Sequence, residues 1–176
     1  AFAETVGKLR AGLARTVGVP PERQHVLFGA EPPKNVPGAT GPATKEAVAA
    51  AVAAVRKTLR AEDGLWVICL GHGHHDGRRM YWCLPGPDLS ATEFGKLFAD
   101  INCREQVFVM TTSLSGYFVA PLAKRDRVVI AESGIESRAQ GAAAELAGAD
   151  AMLVGQTLMR APDPGAKLQE LLRRPL

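Results

Sequence analysis

His72, His74 and His75, three of the chain's four histidines, stand within Leu70-Gly-His-Gly-His-His-Asp76, directly after the apolar run Trp66-Val-Ile-Cys-Leu70. Imidazoles serve as general bases or metal ligands, and Asp76 adds a carboxylate for either task. A second small polar cluster, Thr111-Thr-Ser-Leu-Ser-Gly116, follows the apolar run Val107-Phe-Val-Met110 and supplies two hydroxyls, Ser113 and Ser115. Nucleophilic catalysis needs a base within hydrogen-bond reach of the attacking atom and backbone donors for the oxyanion. His72 as base, a serine of the second cluster as nucleophile and Gly73 as N–H donor meet that need on paper. The bland alternative is that these Ser and Gly residues only form turns.

The elements that would position these groups can be read from the pattern. Trp66 to Leu70 is apolar without alternation, as in a strand buried on both faces of a parallel sheet. Ligands of open α/β sheets bind just beyond the carboxyl ends of such strands. Further strands are expected at 24–28, 107–110, 127–131 and 151–154, with an edge strand or hairpin arm at 78–84. Residues 3 to 17 form an amphipathic helix with Val6, Leu9, Leu13 and Val17 on one face, stopped by Gly18 and Pro20-Pro21. Thr44 caps a helix over 45–60. Ser90 caps another, with Glu93 completing a capping box and Phe94, Leu97, Phe98 and Ile101 as its buried face. The segment up to Ala123 starts as a helix, and 138–146 and 164–172 are helical as well. The stretch 31–42, rich in Pro and Gly, reads as a loop. Alternating strands and helices mean an α/β fold with a mainly parallel sheet.

With 47% hydrophobic and 22% charged residues over 176 positions, the chain is long enough to bury a core. Its net charge of +3, scattered without a basic stripe, gives no indication of nucleic-acid binding. No apolar stretch approaches the roughly 20 residues of a membrane span, and the first residues lack the plan of a signal peptide. Cys69, Cys83 and Cys103 are an odd number in apolar surroundings and read as buried small residues of a reduced, cytoplasmic protein. Ala1 opens in mid-pattern without Met, so upstream sequence is expected. His25 reads as a structural histidine.

His72-x-His74-x-Asp76 matches the opening of the His-x-His-x-Asp-His motif of metallo-β-lactamase-like hydrolases. Gly77 stands where that motif ends in His, and no histidine follows His75, so no metal site and no cofactor are expected. A wider set of motifs, Leu70-Gly-His-Gly-His-His-Asp-Gly77, Leu84-Pro-Gly-Pro-Asp-Leu-Ser90, Val107 through Gly116 and Arg127-Val-Val-Ile-Ala131, resembles bacterial relatives of legumain-type cysteine peptidases. The resemblance covers most of residues 1–131 and implies a three-layer, caspase-like fold. It also implies a catalytic dyad, with the family's His-Gly pair on His72 and Gly73 and its nucleophile on Ser113. The family's nucleophile is cysteine, and serine is far less acidic, so exchanging the atom does not restore a thiolate-imidazolium pair. What is implied is a peptidase-like hydrolase domain, active or catalytically silent.

The carboxyl end carries a different resemblance. Ala131-Glu-Ser-Gly-Ile135 and Gly148-Ala-Asp-Ala-Met-Leu-Val-Gly-Gln-Thr-Leu-Met-Arg-Ala-Pro-Asp-Pro-Gly165 resemble the last two βα units of indole-3-glycerol phosphate synthase, a TIM-barrel enzyme of tryptophan biosynthesis, over about residues 129–172. That resemblance implies a phosphate site in the loops after the last two strands, on Ser133, Gly134, Gly155 and Gln156, with Glu132 in the element that faces the substrate. Gln156 stands where the family commonly has Glu, and Thr157 where a small residue is usual. A barrel typically needs about 250 residues, so a complete synthase is not expected in this length. The two resemblances meet at Val128 to Ser133, giving a peptidase-like region 1–131 and a synthase-like segment 129–176 packed into one domain.

Three functions are therefore open: a peptidase-like hydrolase domain acting on a peptide or small molecule, a phosphate-ester binding segment, and a structural or interaction domain. An unpaired sheet edge would allow a homodimer.

Overall fold

The computed structural model describes residues 2–31, 38–124, 127–132 and 134–172. The chain divides into two compact units, Ala1–Lys57 with Leu84–Asp88, and Thr58–Cys83 with Leu89–Leu176.

In the first unit, helix α1 (Phe2–Gly12) runs on into a π-helical turn, Leu13–Val17, where Gly18 at φ 78° ends it. Gln24 anchors this end: its Nε2 donates to the Val19 carbonyl at 2.8 Å, and its Oε1 accepts from Arg10 Nε at 3.0 Å. Strand β1 (Val26–Leu27) pairs in parallel with β2 (Ala39–Gly41). The expected strand at 24–28 is thus shorter, and the expected loop at 31–42 holds a strand, while 32–37 lie outside the described residues. Ala-Thr-Gly carries no apolar signal, so only the pairing reveals β2. Helix α2 (Lys45–Thr58) begins as expected, with the Ala47 N–H donating to Thr44 Oγ1 at 3.2 Å.

The second unit is built on a four-stranded parallel sheet whose strands are β3 (Gly64–Cys69), β7 (Glu105–Met110), β8 (Arg127–Glu132) and β9 (Ala151–Leu153), in that order. Between β3 and β7 lies a small antiparallel sheet of β4 (Gly73–His75), β5 (Met80–Trp82) and β6 (Leu89–Ser90), followed by α3 (Ala91–Leu97). A 3-10 turn (Ser115–Phe118) and α4 (Val119–Leu122) connect β7 to β8, and α5 (Arg138–Leu146) connects β8 to β9. Two helices close the chain, α6 (Gln156–Arg160), which the sequence pattern had not indicated, and α7 (Pro164–Leu172). The architecture is α/β with a mainly parallel sheet, and residue 131 falls inside β8, within that sheet.

Side chains alternate across the sheet, so the register sorts them into two faces. Val67, Phe108 and Val129 align in one row, and Cys69, Met110, Ala131 and Met152 in the next row of the same face. The core sits there: Phe94 of α3 and Phe98 at its C-cap pack edge-on against Phe108, and Phe94 also meets Phe118, with centroids 5.0 to 6.4 Å apart. Offset edge contacts of this kind are favoured by the ring quadrupole. Helix α5 lies over that face too, since a Cβ on Gly141 would be 3.8 Å from Met152 Cε. On the opposite face, Trp66 and Val128 are exposed. The capping box at the start of α3 forms as expected, with Ser90 Oγ accepting from the Glu93 N–H and the Ser90 N–H donating to Glu93 Oε2.

Arg127 is a buried cation at the base of β8. Its Nε donates to Gln106 Oε1 at 3.1 Å, its Nη1 to the Leu122 carbonyl at 2.9 Å, and its Nη2 to the Phe98 carbonyl, while the guanidinium lies over the Phe108 ring. It thereby gives partners to carbonyls at the ends of α3 and α4, which lack intrahelical ones. Burial holds its pKa below the usual arginine value.

Candidate functional site at the carboxyl edge of the sheet

The histidines do not lie in a simple turn after β3, because residues 73–75 form a strand of their own, β4. Gly73 pairs with Trp82, His74 with Tyr81 and His75 with Met80. The Cys83 N–H donates to the His72 carbonyl at 2.9 Å, and the Asp76 N–H to the Arg79 carbonyl at 3.2 Å. Bonded and non-bonded pairs alternate in an antiparallel ladder, so Gly73 and His75 turn their backbone N–H and C=O groups away from β5. Of the two alternatives for 78–84, the hairpin arm is the one the structure shows: β5 is the return arm of a hairpin with β4 and the middle strand of this small sheet, not its edge.

The imidazoles and the carboxylate are engaged locally. The His74 ring stacks on Tyr81 at 5.3 Å, and its Nδ1 lies 3.5 Å from Cys83 Sγ. His75 Nδ1 accepts from the Gly77 N–H at 3.0 Å. Asp76 Oδ1 accepts from the Arg78 and Arg79 N–H groups at 2.8 and 2.7 Å, and these bonds hold its carboxyl below the ordinary carboxylate value. His72, His74 and Asp76 do not come together as a metal-holding group among the described residues.

Strand pairing does bring the two clusters of the sequence together. β3 and β7 are hydrogen-bonded neighbours, and the Thr111 N–H and Oγ1 both donate to the Cys69 carbonyl at 3.0 Å. Gly73 packs against the loop after β7: a Cβ there would lie 2.9 Å from the Ser113 carbonyl oxygen and 2.2 Å from Met80 Cε, so no larger residue fits. Of the two hydroxyl candidates, Ser113 is exposed and Ser115 fully buried, which leaves Ser113 as the one a substrate could reach. Between them Leu114 adopts φ 58°, a left-handed conformation that a bulky residue rarely takes. Strain of this kind persists where surrounding structure holds it and is concentrated at ligand sites. Thr112 Oγ1 is buried without a hydrogen-bond partner among the described residues, a rare condition in a native interior. Neither feature could be read from residue types, because both are consequences of how the loop is seated.

The second pair of loops lies further along the same edge. Gly134, at φ 79°, sits beside Leu114: a Cβ on it would be 3.9 Å from Leu114 Cα. The loops after β8 and β9 are tied by Thr157 Oγ1, which donates to the Ile135 carbonyl at 2.8 Å. That bond also accounts for Thr157, where the synthase-like pattern has a smaller residue. Gly155 and Gln156 are exposed at the start of α6, and a Cβ on Gly155 would meet nothing within 4 Å. Packing within the chain therefore does not require glycine at 155. Ser133 lies outside the described residues, and of Glu132 only the strand backbone is described. The expectation of three buried cysteines also needs correction: Cys69 and Cys103 are buried, whereas Cys83 is exposed at the end of β5.

Comparison with known proteins places a family resemblance on this half of the chain. The model of the family described as indole-3-glycerol phosphate synthase matches residues 93–171, which takes in α3, β7 and the Ser113 loop and so begins well before the 129–172 stretch. Among curated proteins, the indole-3-glycerol phosphate synthase of Lactiplantibacillus plantarum is 56% identical over 43 residues, 24% of this chain and 16% of the relative. The synthase of Sulfurimonas denitrificans is 42% identical over 84 residues, 47% of this chain and 32% of the relative. That of Ruminiclostridium cellulolyticum is 28% identical over 117 residues, 66% of this chain and 42% of the relative. The chain thus spans less than half the length of these relatives, and the matched part is synthase-like. None of these matches is to a legumain-type peptidase, so support falls on the synthase-like alternative rather than on the peptidase-like reading. Among the described residues, no helix is long and apolar enough to cross a membrane.

Proposed function

We propose that the carboxyl-terminal half of the chain is a phosphate-ester binding segment of the indole-3-glycerol phosphate synthase kind. The observation that carries this reading is the family match over 93–171, which includes both loops of the implied phosphate site. Backbone N–H groups of Ser133, Gly134, Gly155 and Gln156 would hold the phosphate, because clustered amides bind anions without a counter-charge. The Thr157 bond to the loop after β8 supports it by coupling the two loops. So does the open space at Gly155, since a glycine that packing does not need is one a ligand can use. On this reading β8 through α7 are the last two βα units of a barrel. The proposal is limited to binding, since the matches cover less than half of the relatives' length.

Calorimetry of the full chain with analogues of indole-3-glycerol phosphate tests it. Saturable binding, weakened at least about tenfold by Gly155→Val, is expected, the loss corresponding to one blocked charge-assisted contact. Silent titrations at millimolar ligand would remove the reading.

A second reading has its own supporting observation, the seating of Gly73 against Ser113 with the Gly73 N–H outside the β4–β5 ladder. It makes the caspase-like region a hydrolase domain, with His72 as base, Ser113 as nucleophile and Gly73 as oxyanion donor. A fluorophosphonate adduct on Ser113 that disappears in His72→Ala would support it. Absence of any adduct would leave a catalytically silent scaffold.

A further inference from the structure

Beside the small antiparallel sheet lies a cleft of about 170 Å³ that neither functional reading uses. Its apolar lining is Met80, Ala91 and Pro121, and its polar lining is His75, Arg78, Arg79 and Tyr117, with Thr92 at the start of α3. Among the described residues, no acidic side chain lines it.

Two consecutive arginines on a strand would project to opposite sides. Here both line one cleft, because Asp76 folds the Asp76–Arg79 segment into a turn by accepting from both arginine N–H groups. That carboxylate, the nearest acid in sequence, is thereby occupied by the turn itself. His75 is fixed in a matching way: its Nδ1 accepts from the Gly77 N–H, which leaves Nε2–H as the neutral ring's donor, and the ring leans on Tyr117 at 5.0 Å. The residues that line the cleft therefore carry two guanidinium groups, an imidazole, a phenol and a hydroxyl beside apolar side chains.

From this convergence we propose that the cleft binds a small organic oxyanion, a phosphate monoester or a carboxylate carried on a compact apolar or aromatic body. Guanidinium groups match the planar spacing of such oxygens and form charge-assisted bonds to them. The anion also relieves the mutual repulsion of two arginines that share one concavity. The volume is below the roughly 300 Å³ at which ordinary ligand pockets begin, which selects a compact ligand over an extended one. The inference is independent of phosphate binding at Gly134 and Gly155.

The test is calorimetry of the full chain with phenyl phosphate, benzoate and neutral benzyl alcohol. One of the two anions is expected to bind with Kd on the order of 1 mM or tighter, and which one does identifies the oxyanion. Its affinity falls at least about tenfold in Arg78→Gln/Arg79→Gln, whose exposed side chains can be replaced without loss of the thermal transition. Failure of both anions to bind at about 10 mM overturns the proposal, as does equal binding of benzyl alcohol. Undiminished affinity in the double arginine variant overturns it too. Binding lost in Gly155→Val but kept in the arginine variant would move the anion to the synthase-like loops instead.

Discussion

Strands β7 and β9 belong to the same parallel sheet and both end in loops of small polar residues, yet their surroundings differ sharply. Phe108 and Met110 of β7 are fully buried under α3 and the 3-10 turn, and the loop that follows is seated tightly enough to hold Leu114 in a left-handed conformation. β9 is exposed along its length, and neither α6 nor α7 buries a side chain. Leu146 and Met159, apolar residues of the tail, are 89% and 84% exposed. The tail is nevertheless where the synthase-like string is longest, from Gly148 to Gly165. Burial and sequence specificity thus report different constraints. In β7 the residue types follow from packing, whereas in the tail packing within the chain does not require them, and ligand binding at the loops is the constraint proposed for them.

The contrast can be tested from its strong end to its weak one. Phe108→Ala removes the ring on which Phe94, Phe98 and Arg127 converge and should cost about 3–5 kcal/mol in denaturant unfolding. Leu153→Ala on exposed β9 should cost no more than about 0.5 kcal/mol. Equal losses at the two positions would erase the distinction. Arg127→Met should cost about 2–3 kcal/mol, because the Leu122 carbonyl and Gln106 Oε1 lose this donor inside the core and the Phe98 carbonyl keeps only the Ile101 N–H.

Glycine exchange sharpens the same comparison at the loops. Gly73→Ala forces a methyl against Met80 and the Ser113 carbonyl and should lower stability by about 1–3 kcal/mol. Gly155→Ala meets no neighbour and should leave unfolding within about 0.5 kcal/mol of the parent. Thiol labelling of the folded protein should modify Cys83 first. Cys69 and Cys103 should react only on unfolding, since burial both shields these thiols and pushes their pKa values up.

The smallest effect expected is a pH dependence at the Asp76 turn. Its carboxyl is held below the ordinary value by the Arg79 and Arg78 N–H groups, so the folded state binds that proton less readily than the unfolded chain. The resulting stabilisation is complete above the unfolded carboxylate range and is lost as pH falls through the lower folded value. Asp76→Asn should flatten the acid limb of the stability curve by a small amount, and an unchanged limb would show that the turn is not linked to folding.

Local chemistry settled much of this protein from sequence alone. The Ser90–Glu93 capping box, the Thr44 cap and the 138–146 and 164–172 helices depend on residues within one or two turns of each other, and they stand in the structure as the spacing predicts. The parallel strands β3, β7 and β8 could be placed as well, because continuous apolar runs have few other uses, but β3 is not buried on both faces as the run suggested: it stands at one end of the described sheet with Trp66 exposed. Tertiary structure decided what depends on partners distant in sequence. β2 exists only through its pairing with β1, and β4 only because β5 folds back on it. Pairing of β3 with β7 brought Gly73 to Ser113, and burial then separated Ser113 from its neighbour Ser115. The arginine-lined cleft required the Asp76 turn to set two adjacent side chains on one side. Residue type specifies what a group can do, but hydrogen-bond register and burial specify which groups meet, and those are properties of the folded chain.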